Sequence, residues 1–286
     1  MSIASIFARR TPRVLSSFTN VAPRVLPMQH QQRRAKHGVP ALTNISNFAE
    51  NGVPGLFSRK AFNIAWTEYQ GLLVDNLNRL VDGTDYMNKT ALDITVMTSR
   101  QADLAATFNY ASQAHNNHFF FETLAPAKVD IPDILKNHIP NGWPSAEAMR
   151  TELLTTAASM FGNGWVWLVF DQNKNLRILC TYNAGTPYGA AHRRQDTDMN
   201  TRKTLGDNNI SYMTDTLRSV TQGNNSNWAV PLLNINCWEH AWLEDYGIGG
   251  KERYLEAVWD RIDWNVVASR WPFPDGNTAP RSFYNN

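Results

Sequence analysis

The sequence contains few residues of the kinds that mark disulfide-rich, zinc-ribbon or membrane-spanning proteins. Only Cys180 and Cys237 occur among its 286 residues, and neither belongs to a C-x-x-C pair. Two thiols without that spacing exclude a disulfide framework and a cysteine-based zinc ribbon, so both are interpreted as buried and reduced. No apolar run approaches the ~18 residues that a membrane-spanning helix needs, and no membrane partner is expected. The 43% of hydrophobic residues, including 10 tryptophans, is sufficient for a sizeable packed core.

Acidic residues are absent before Glu50, although basic residues are frequent there. The basic residues of this stretch are Arg9, Arg10, Arg13, Arg24, Arg33, Arg34 and Lys36. An Arg-rich, Ser-containing, acid-free start is typical of a mitochondrial transit peptide, which we predict over residues 1–37 with cleavage near Lys36. The alternative is a basic RNA-binding arm that the mature protein retains. Without these seven residues the totals of 27 basic and 25 acidic residues become 20 and 25, so the body is mildly acidic. A body-wide basic surface for nucleic acid is therefore not expected.

After the basic start, the sequence predicts a short extended segment and then two helices. Residues 38–57 are rich in Pro, Gly and Asn, which predicts an extended segment with turns. Residues 58–126 carry apolar side chains at three- and four-residue steps from Arg59 to about Val81 and from about Arg100 to Glu122. Two long helices joined by a loop predict an antiparallel helical hairpin.

Residues 127–286 mix helical and strand patterns, which predicts a C-terminal α/β domain. Ser145 is a candidate N-cap for a helix that continues to about Phe161. The last apolar pattern predicts one helix, or two with a break near Asp263. Three strand patterns predict a three-stranded antiparallel sheet; they are WVWLVFD, LRILCTY and AVPLLNINCW. Helices followed by a small antiparallel sheet indicate the α+β class.

Two histidines of the second hairpin helix have the spacing of metal ligands. His115 and His118 are three residues apart, which places them on one face of a helix, and Glu122 lies one turn further on. A metal site could combine His118 with Asn236 and His240. The alternative is that these are hydrogen-bonded interior or interface histidines.

Five sequence blocks follow one another in an order that resembles a known family. The blocks are NHFFFETLAP, GNGWVWLVF, NAGTP, PLLNINCWEHAW and YLEAVWDRIDWNVV. They resemble the iron/manganese superoxide dismutases, and the resemblance covers roughly residues 40–270. A polar insertion at about residues 188–228 is outside it and is too long for an ordinary strand connection. The resemblance implies the dismutase fold, in which a helical hairpin precedes an α/β domain.

The resemblance also implies which residues stand at the metal-ligand positions. The family holds its metal with three histidines and one aspartate, and here these positions are occupied by Ala65, His118, Asn236 and His240. A redox-cycling iron or manganese ion uses anionic donors to set its potential. Asn236 offers only a neutral amide and Ala65 offers no donor. We therefore expect vestigial ligand positions, no metal cofactor and no catalytic residues.

Neighbouring positions of the resembled site differ from the family as well. Leu73 replaces a gateway tyrosine, Tyr69 replaces a second histidine of the first helix, and Glu122 replaces a tryptophan. Gln113 resembles the glutamine that some iron enzymes place near their metal-bound water. The Glu122 carboxylate could pair with His118 and so fill the site.

The retained residues point to an interface. Trp238, Glu239 and His240 preserve the W-E-H of the family, in which this glutamate bonds across a dimer interface to a ligand histidine of the partner. Core packing is the alternative role for them. Leu243 replaces a tyrosine that supports that interface. This change favours a heterodimer with a second dismutase-like chain over an unchanged homodimer.

The transit peptide, the altered site and the insertion together resemble the dismutase-like proteins of the fungal mitochondrial small ribosomal subunit. This resemblance implies a structural, non-enzymatic component of that subunit, located in the mitochondrial matrix, bound to other small-subunit proteins and supporting mitochondrial translation. Basic residues of the insertion could also contact rRNA phosphates, although acids are interspersed. The candidate rRNA contacts are Arg193, Arg194, Arg202, Lys203 and Arg218.

Two other functions remain open at the level of sequence. One is a working mitochondrial manganese or iron superoxide dismutase with a rearranged metal site that recruits Glu122 or His115. The other is a non-redox zinc site on His115, His118 and His240.

Overall fold

The structure is a computed structural model that describes residues 37–171, 175–188, 191 and 229–272. The predicted transit peptide, except for its last residue, and nearly all of the predicted insertion lie outside these residues. The helices that follow are α1 (Ile45–Asn51), α2 (Arg59–Phe62), α3 (Tyr69–Val81), α4 (Ala91–Thr98), α5 (Ala105–Glu122), α6 (Asp133–Lys136), α7 (Ala146–Ser159), α8 (Glu239–Tyr246), α9 (Lys251–Trp259) and α10 (Trp264–Ser269). The strands are β1 (Gly164–Asp171), β2 (Leu176–Tyr182) and β3 (Ala229–Asn236).

The first arm of the predicted hairpin is a helix with a local change of winding. A π-helical segment, Asn63–Glu68, joins α2 directly to α3. Such segments occur mostly as short bulges inside α-helices and often at functional sites. This one carries Ala65, which is fully buried. The predicted ligand position is thus on the irregular part of the helix.

The second arm is α5, and α3 and α4 pack against it. A small apolar cluster of Leu77, Val81, Ile94 and Ala111 joins these three helices. The predicted connection between the arms contains α4, a helix not recognised in the sequence. Thr90 begins α4 with a capping box, in which its hydroxyl and the Asp93 carboxylate each accept from the backbone N–H of the other residue. Because α4 is short and packs against the hairpin, its tertiary contacts stabilise it more than its own helix propensity does.

The strands form one antiparallel sheet in the order β2-β1-β3, which confirms the predicted fold class. The central strand β1 is almost entirely buried, and Trp165 and Trp167 are fully enclosed. The register of β1 with β3 shifts between Leu168 and Val169, because Pro231 occupies the edge strand and cannot donate to the ladder. Below this shift Trp165 lies directly opposite Asn236. The sheet therefore holds a predicted ligand position beside a buried tryptophan.

Helix α5 is fastened to the sheet and to the loop after β2 by buried amides. The Asn234 side chain donates to the Asn116 carbonyl at 2.9 Å, and the Asn116 side chain donates to the Gly185 carbonyl at 2.9 Å. Ser112 donates to the Ala184 carbonyl at 2.6 Å. Neutral amides of this kind satisfy buried backbone groups and set the position of α5 against β3. The helical part and the sheet consequently share one core.

The prediction of an extended segment over residues 38–57 is wrong in part. Helix α1 lies inside that range, because Phe48 is buried against the core and packs edge-to-face on Phe62. Gly52 ends the helix with φ of 72°, and a Cβ there would lie 2.2 Å from the Phe57 carbonyl oxygen. The Pro, Gly and Asn content predicted only extended chain and turns, so this short helix was missed.

Other sequence predictions of local structure are confirmed. The Ser145 side chain caps α7 by accepting from the Ala148 N–H. The last apolar pattern forms two helices, α9 and α10, and Asp263 caps the second by accepting from the N–H groups of Asn265 and Val266. Among the helices that the structure describes, none is long and apolar enough to cross a membrane.

Candidate functional site

The predicted ligand positions lie on four different elements. Ala65 is on the π-helical segment, His118 on α5, Asn236 at the end of β3 and His240 in the first turn of α8. Ala65 presents only a methyl group, and its carbonyl accepts from the Asn117 side chain at 3.3 Å. The same Asn117 nitrogen donates to Gln70 Oε1 at 3.0 Å. An amide network, which the sequence did not suggest, therefore occupies the neighbourhood of Ala65.

Asn236 is fully buried, and the hydrogen bonds around it fix the orientation of its amide. Its Oδ1 accepts from the Trp238 backbone N–H at 2.9 Å. Its backbone carbonyl accepts from the Tyr254 hydroxyl at 2.9 Å. Since Oδ1 is held by an N–H group, the remaining amide atom is Nδ2, a donor without a partner in the described part of the chain. A cation would meet N–H groups here instead of a carboxylate oxygen.

His240 is packed against an aromatic side chain that the family does not have. The Tyr69 ring lies 4.0 Å from the His240 ring, measured between centroids, with an angle of 40° between the planes. Burial lowers the pKa of His240 to about 4 and raises the pKa of Tyr69 to about 12, while the nearby Gln113 amide opposes the second shift. Both side chains are therefore neutral near pH 7. The replacement of a histidine by Tyr69 places a ring where a second imidazole would otherwise lie.

Gln113 lies close to Tyr69. It is buried, and its Oε1 accepts from Trp165 Nε1 at 3.2 Å. The glutamine thus joins α5 to the central strand as well as to the first hairpin arm. Its contacts are with neutral side chains, so it acts here as a packing element.

His118 is half-buried and packs against Trp66, with ring centroids 6.0 Å apart. Burial lowers the pKa of His118, while the nearby Glu122 carboxylate and a hydrogen bond with the Ala41 backbone oppose the shift and Arg270 adds to it. Its Nε2 is buried and has no partner among the residues described. The imidazole is retained, but its surroundings are those of a core side chain.

Glu122 does not fill the site through His118, as the sequence suggested; it pairs with Arg270. The distance from Glu122 Oε2 to Arg270 Nη2 is 3.4 Å. The guanidinium also donates to the Leu232 carbonyl at 2.9 Å and to the Thr123 hydroxyl at 2.8 Å, and it lies 3.5 Å from the Phe119 ring centroid. Burial lowers the pKa of Arg270 to about 10, which leaves it charged. Nothing in the local pattern around Arg270 distinguishes it from a surface arginine.

His115 also has a role in packing. Its Nε2 bonds the Tyr188 hydroxyl at 2.8 Å, and burial lowers its pKa to about 3. Together with His118 and His37 it lines a cavity of about 560 Å³. Because its Nε2 is already engaged, His115 is not free to serve as a replacement ligand through that atom.

The residues present do not fit a manganese or iron ion. Ala65 offers no donor, Asn236 presents an N–H group, and two neutral imidazoles supply no anionic charge. Within the described ranges no group of three or more His, Cys, Asp or Glu residues is placed to hold a metal. The residues at these positions make hydrogen bonds and packing contacts.

The predicted interface residues differ in exposure. Glu239 is exposed, and its N–H donates to Asn163 Oδ1 at 3.2 Å, which ties the start of α8 to the turn before β1. Trp238 and His240 are half-buried behind it. Leu243, one turn further along α8, is 36% exposed. The exposed side chains of Glu239 and Leu243, one turn apart on the helix, form one face, which we call the α8 face. The candidate rRNA contacts, residues 193, 194, 202, 203 and 218, lie outside the described residues.

Comparisons with known proteins support the fold and identify the family. The family described as "Iron/manganese superoxide dismutases, C-terminal domain" matches residues 132–196 and 201–270. Small ribosomal subunit protein mS43 of Schizosaccharomyces pombe is 29% identical over 235 residues, which cover 79% of this chain and 83% of that protein. Small ribosomal subunit protein mS42 of the same yeast is 32% identical over 186 residues, 63% of this chain and 72% of that protein. Superoxide dismutase [Fe] of Helicobacter pylori is 26% identical over 232 residues, 80% of this chain and 89% of that enzyme. The chain therefore belongs to the iron/manganese superoxide dismutase-like family that includes these two small ribosomal subunit proteins.

Proposed function

We propose that this protein is a structural component of the mitochondrial small ribosomal subunit, located in the matrix and supporting mitochondrial translation without catalysing a reaction. The observation that carries the proposal is the orientation of Asn236. Its Oδ1 is held by the Trp238 N–H, so the conserved fold presents an N–H group where a dismutase presents a carboxylate. The similarity to proteins mS43 and mS42 supports a ribosomal role for a chain of this fold that lacks the metal-binding carboxylate.

The competing function is superoxide dismutation by a rearranged manganese or iron site. Similarity to relatives named superoxide dismutase is the reason to consider this alternative. The two side chains that could have been recruited are otherwise engaged, since Glu122 binds Arg270 and His115 Nε2 binds the Tyr188 hydroxyl. The same bond of His115 disfavours the zinc alternative. These contacts support a non-catalytic protein.

Sedimentation of mitochondrial lysates tests the ribosomal role. We expect the protein to co-migrate with the small subunit on a sucrose gradient, and its depletion to lower small-subunit content and mitochondrial protein synthesis together. Recovery of the protein only at the top of the gradient would contradict the proposal. Elemental analysis and a dismutase assay on the purified protein address catalysis separately. Stoichiometric manganese or iron with activity would establish the competing function.

A heterodimer with a second dismutase-like chain is the finer part of the proposal. The α8 face offers an exposed carboxylate at Glu239 and an exposed apolar side chain at Leu243. Two identical faces would bring the two Glu239 carboxylates together, whereas the neighbouring acids of the helix are engaged within the chain, Glu244 with Lys60 and Asp245 with the Ser58 N–H. A different chain with basic and apolar side chains at this face suits it better. That two related ribosomal proteins resemble this chain supports a pair of unlike dismutase-like subunits.

Reversal of the charge at Glu239 tests this interface. Glu239→Arg is expected to weaken binding to the second dismutase-like chain by about tenfold or more, because it removes a carboxylate at the centre of the face and introduces repulsion. The measurement is a titration of the purified pair. Glu252→Arg, which reverses an exposed charge in the first turn of α9, is the matched control and should leave affinity unchanged. Equal affinities for both variants, or a stable homodimer of this chain alone, would refute the assignment.

The rRNA contacts are a separate part of the proposal. We propose that the basic side chains at 193, 194, 202, 203 and 218 approach rRNA phosphates, on the basis of their charge and of the polar insertion that carries them.

A further inference from the structure

Six side chains around the end of β3 make a closed circuit of contacts, which we call the polar ring. Its members are Tyr69, Gln113, Trp165, Asn236, Trp238 and His240. On one side of the ring, Tyr69 stacks on His240, and the His240 and Trp238 rings lie 5.6 Å apart between centroids. Trp238 then donates its backbone N–H to Asn236 Oδ1 at 2.9 Å. These links connect α3 to the start of α8 and to the end of β3.

The other side of the ring returns through α5. Asn236 lies opposite Trp165 in the sheet register, and Trp165 Nε1 donates to Gln113 Oε1 at 3.2 Å. The Gln113 amide lies close enough to the Tyr69 hydroxyl to lower the pKa of Tyr69, which closes the circuit. Every link joins two residues in direct contact or in direct sheet pairing. The polar ring is therefore made of polar and aromatic side chains only.

Four nitrogen atoms of the polar ring are buried and have no hydrogen-bond partner in the described part of the chain. They are Gln113 Nε2, Asn236 Nδ2, Trp238 Nε1 and His240 Nε2. Asn236 is 0% exposed, so bulk solvent does not reach its amide. The amide and indole nitrogens can only donate, whereas a neutral imidazole nitrogen can accept. Buried donors left without an acceptor are strongly unfavourable, so the ring requires a guest that accepts at least two hydrogen bonds.

We propose that the polar ring binds one internal water molecule at the position where the family holds its metal. The water oxygen accepts from Asn236 Nδ2 and Trp238 Nε1, and one water hydrogen is donated to His240 Nε2 in the Nδ1–H tautomer. Three partners is the usual number for a buried water. The site is thus a hydrogen-bonding site for a small neutral molecule.

Charged guests suit this ring less well. A cation would face the N–H groups of Asn236 and Trp238, whose partial positive charges repel it. A bare anion would lose its hydration, and the ring contains no lysine or arginine to compensate for that loss. Water meets both the donors and the imidazole acceptor without carrying a charge. The change from aspartate to Asn236 therefore inverts the polarity of the site as well as removing a ligand.

A high-resolution crystal structure of the full chain with its partner, grown with bromide, tests the identity of the guest. We expect a density peak at roughly 2.7–3.2 Å from both Asn236 Nδ2 and Trp238 Nε1. We also expect no anomalous signal there at the manganese, iron, zinc or bromine edges. A metal or bromine signal at this point would overturn the assignment, and so would the absence of any peak.

Oxygen-17 relaxation dispersion of water tests the same site in solution. Trp238→Phe removes one donor and keeps an aromatic ring, and His240→Phe removes the imidazole acceptor. Each variant is expected to lose one long-lived internal water relative to the unaltered protein. Trp259→Phe, which alters a ring on α9 away from the polar ring, is the matched control and should lose none. An unchanged count in both ring variants would refute the proposal, and the use of two variants covers the case in which one of them does not fold.

Discussion

Replacement of Arg270 by methionine is expected to lower the free energy of unfolding by about 2–4 kcal/mol. The guanidinium donates to the Leu232 and Phe119 carbonyls and to the Thr123 hydroxyl. Leu232 is the residue that the register shift between β1 and β3 passes over, so its carbonyl has no place in the ladder. Loss of the guanidinium leaves the Leu232 carbonyl without this donor, at about 1 kcal/mol or more, whereas the Phe119 carbonyl keeps the Thr123 hydroxyl as a donor. The contact with the Phe119 ring adds about 1–2 kcal/mol where the cation is desolvated.

The ion pair of Arg270 with Glu122 contributes little to this effect. The Glu122 side chain is 41% exposed, and exposed ion pairs contribute about 0–1 kcal/mol. Chemical denaturation monitored by tryptophan fluorescence measures the change. Arg253→Met is the matched control, since Arg253 is exposed and makes one bond to the Tyr246 carbonyl. Arg270→Lys should fall between the two, because it keeps the charge but not the fork of donors. If the free energy of unfolding of the methionine variant were within about 0.5 kcal/mol of that of the unaltered protein, the prediction would be wrong. Other donors would then satisfy the carbonyls that Arg270 binds.

Asn236→Asp is expected to destabilise the protein by about 2–4 kcal/mol at pH 8 and by much less near pH 4. The substitution places a carboxylate in a fully buried position beside neutral imidazole and indole groups. Burial disfavours the charged form, so the folded-state pKa of the new carboxyl group rises above the ~3.9 of the unfolded chain. The folded state then binds its proton more tightly than the unfolded state does. Stability relative to the unaltered protein falls as pH rises through this interval and levels off above the folded-state pKa.

Urea unfolding of both proteins across this pH range measures the effect. Asn265→Asp is the matched control, because Asn265 is exposed in the first turn of α10, where a carboxylate is tolerated near the helix N-terminus. If the difference in unfolding free energy between the Asn236 variant and the unaltered protein did not change with pH, the new carboxylate would be solvated or paired. Stabilisation of the variant by added manganese or iron would show that His118 and His240 still form half of a usable metal site.

The elements of the fold were largely predictable because the signals for them are local. Strand alternation and apolar content specified β1, β2 and β3, and the Ser145 and Asp263 caps marked two helix starts. The short helices α1, α4, α6 and α8 were not predicted. Few residues in each carry a periodic pattern, and packing of Phe48 and Ile94 against other elements stabilises α1 and α4. A helix that depends on tertiary contacts leaves little trace in its own sequence.

For the candidate site, the sequence gives the residue types, and only the structure gives the orientation of their polar atoms. The sequence by itself determined that Ala65 and Asn236 cannot supply the donors of a dismutase centre, because ligand chemistry depends only on residue type. Only the tertiary structure decided that the Asn236 amide turns its Nδ2 inward, since the Trp238 N–H captures Oδ1. The pairing of Glu122 with Arg270 could likewise not be predicted from the sequence, because 148 positions separate the two residues along the chain. Residue types are local facts, but the direction of a buried polar atom is set by whichever distant partner satisfies it.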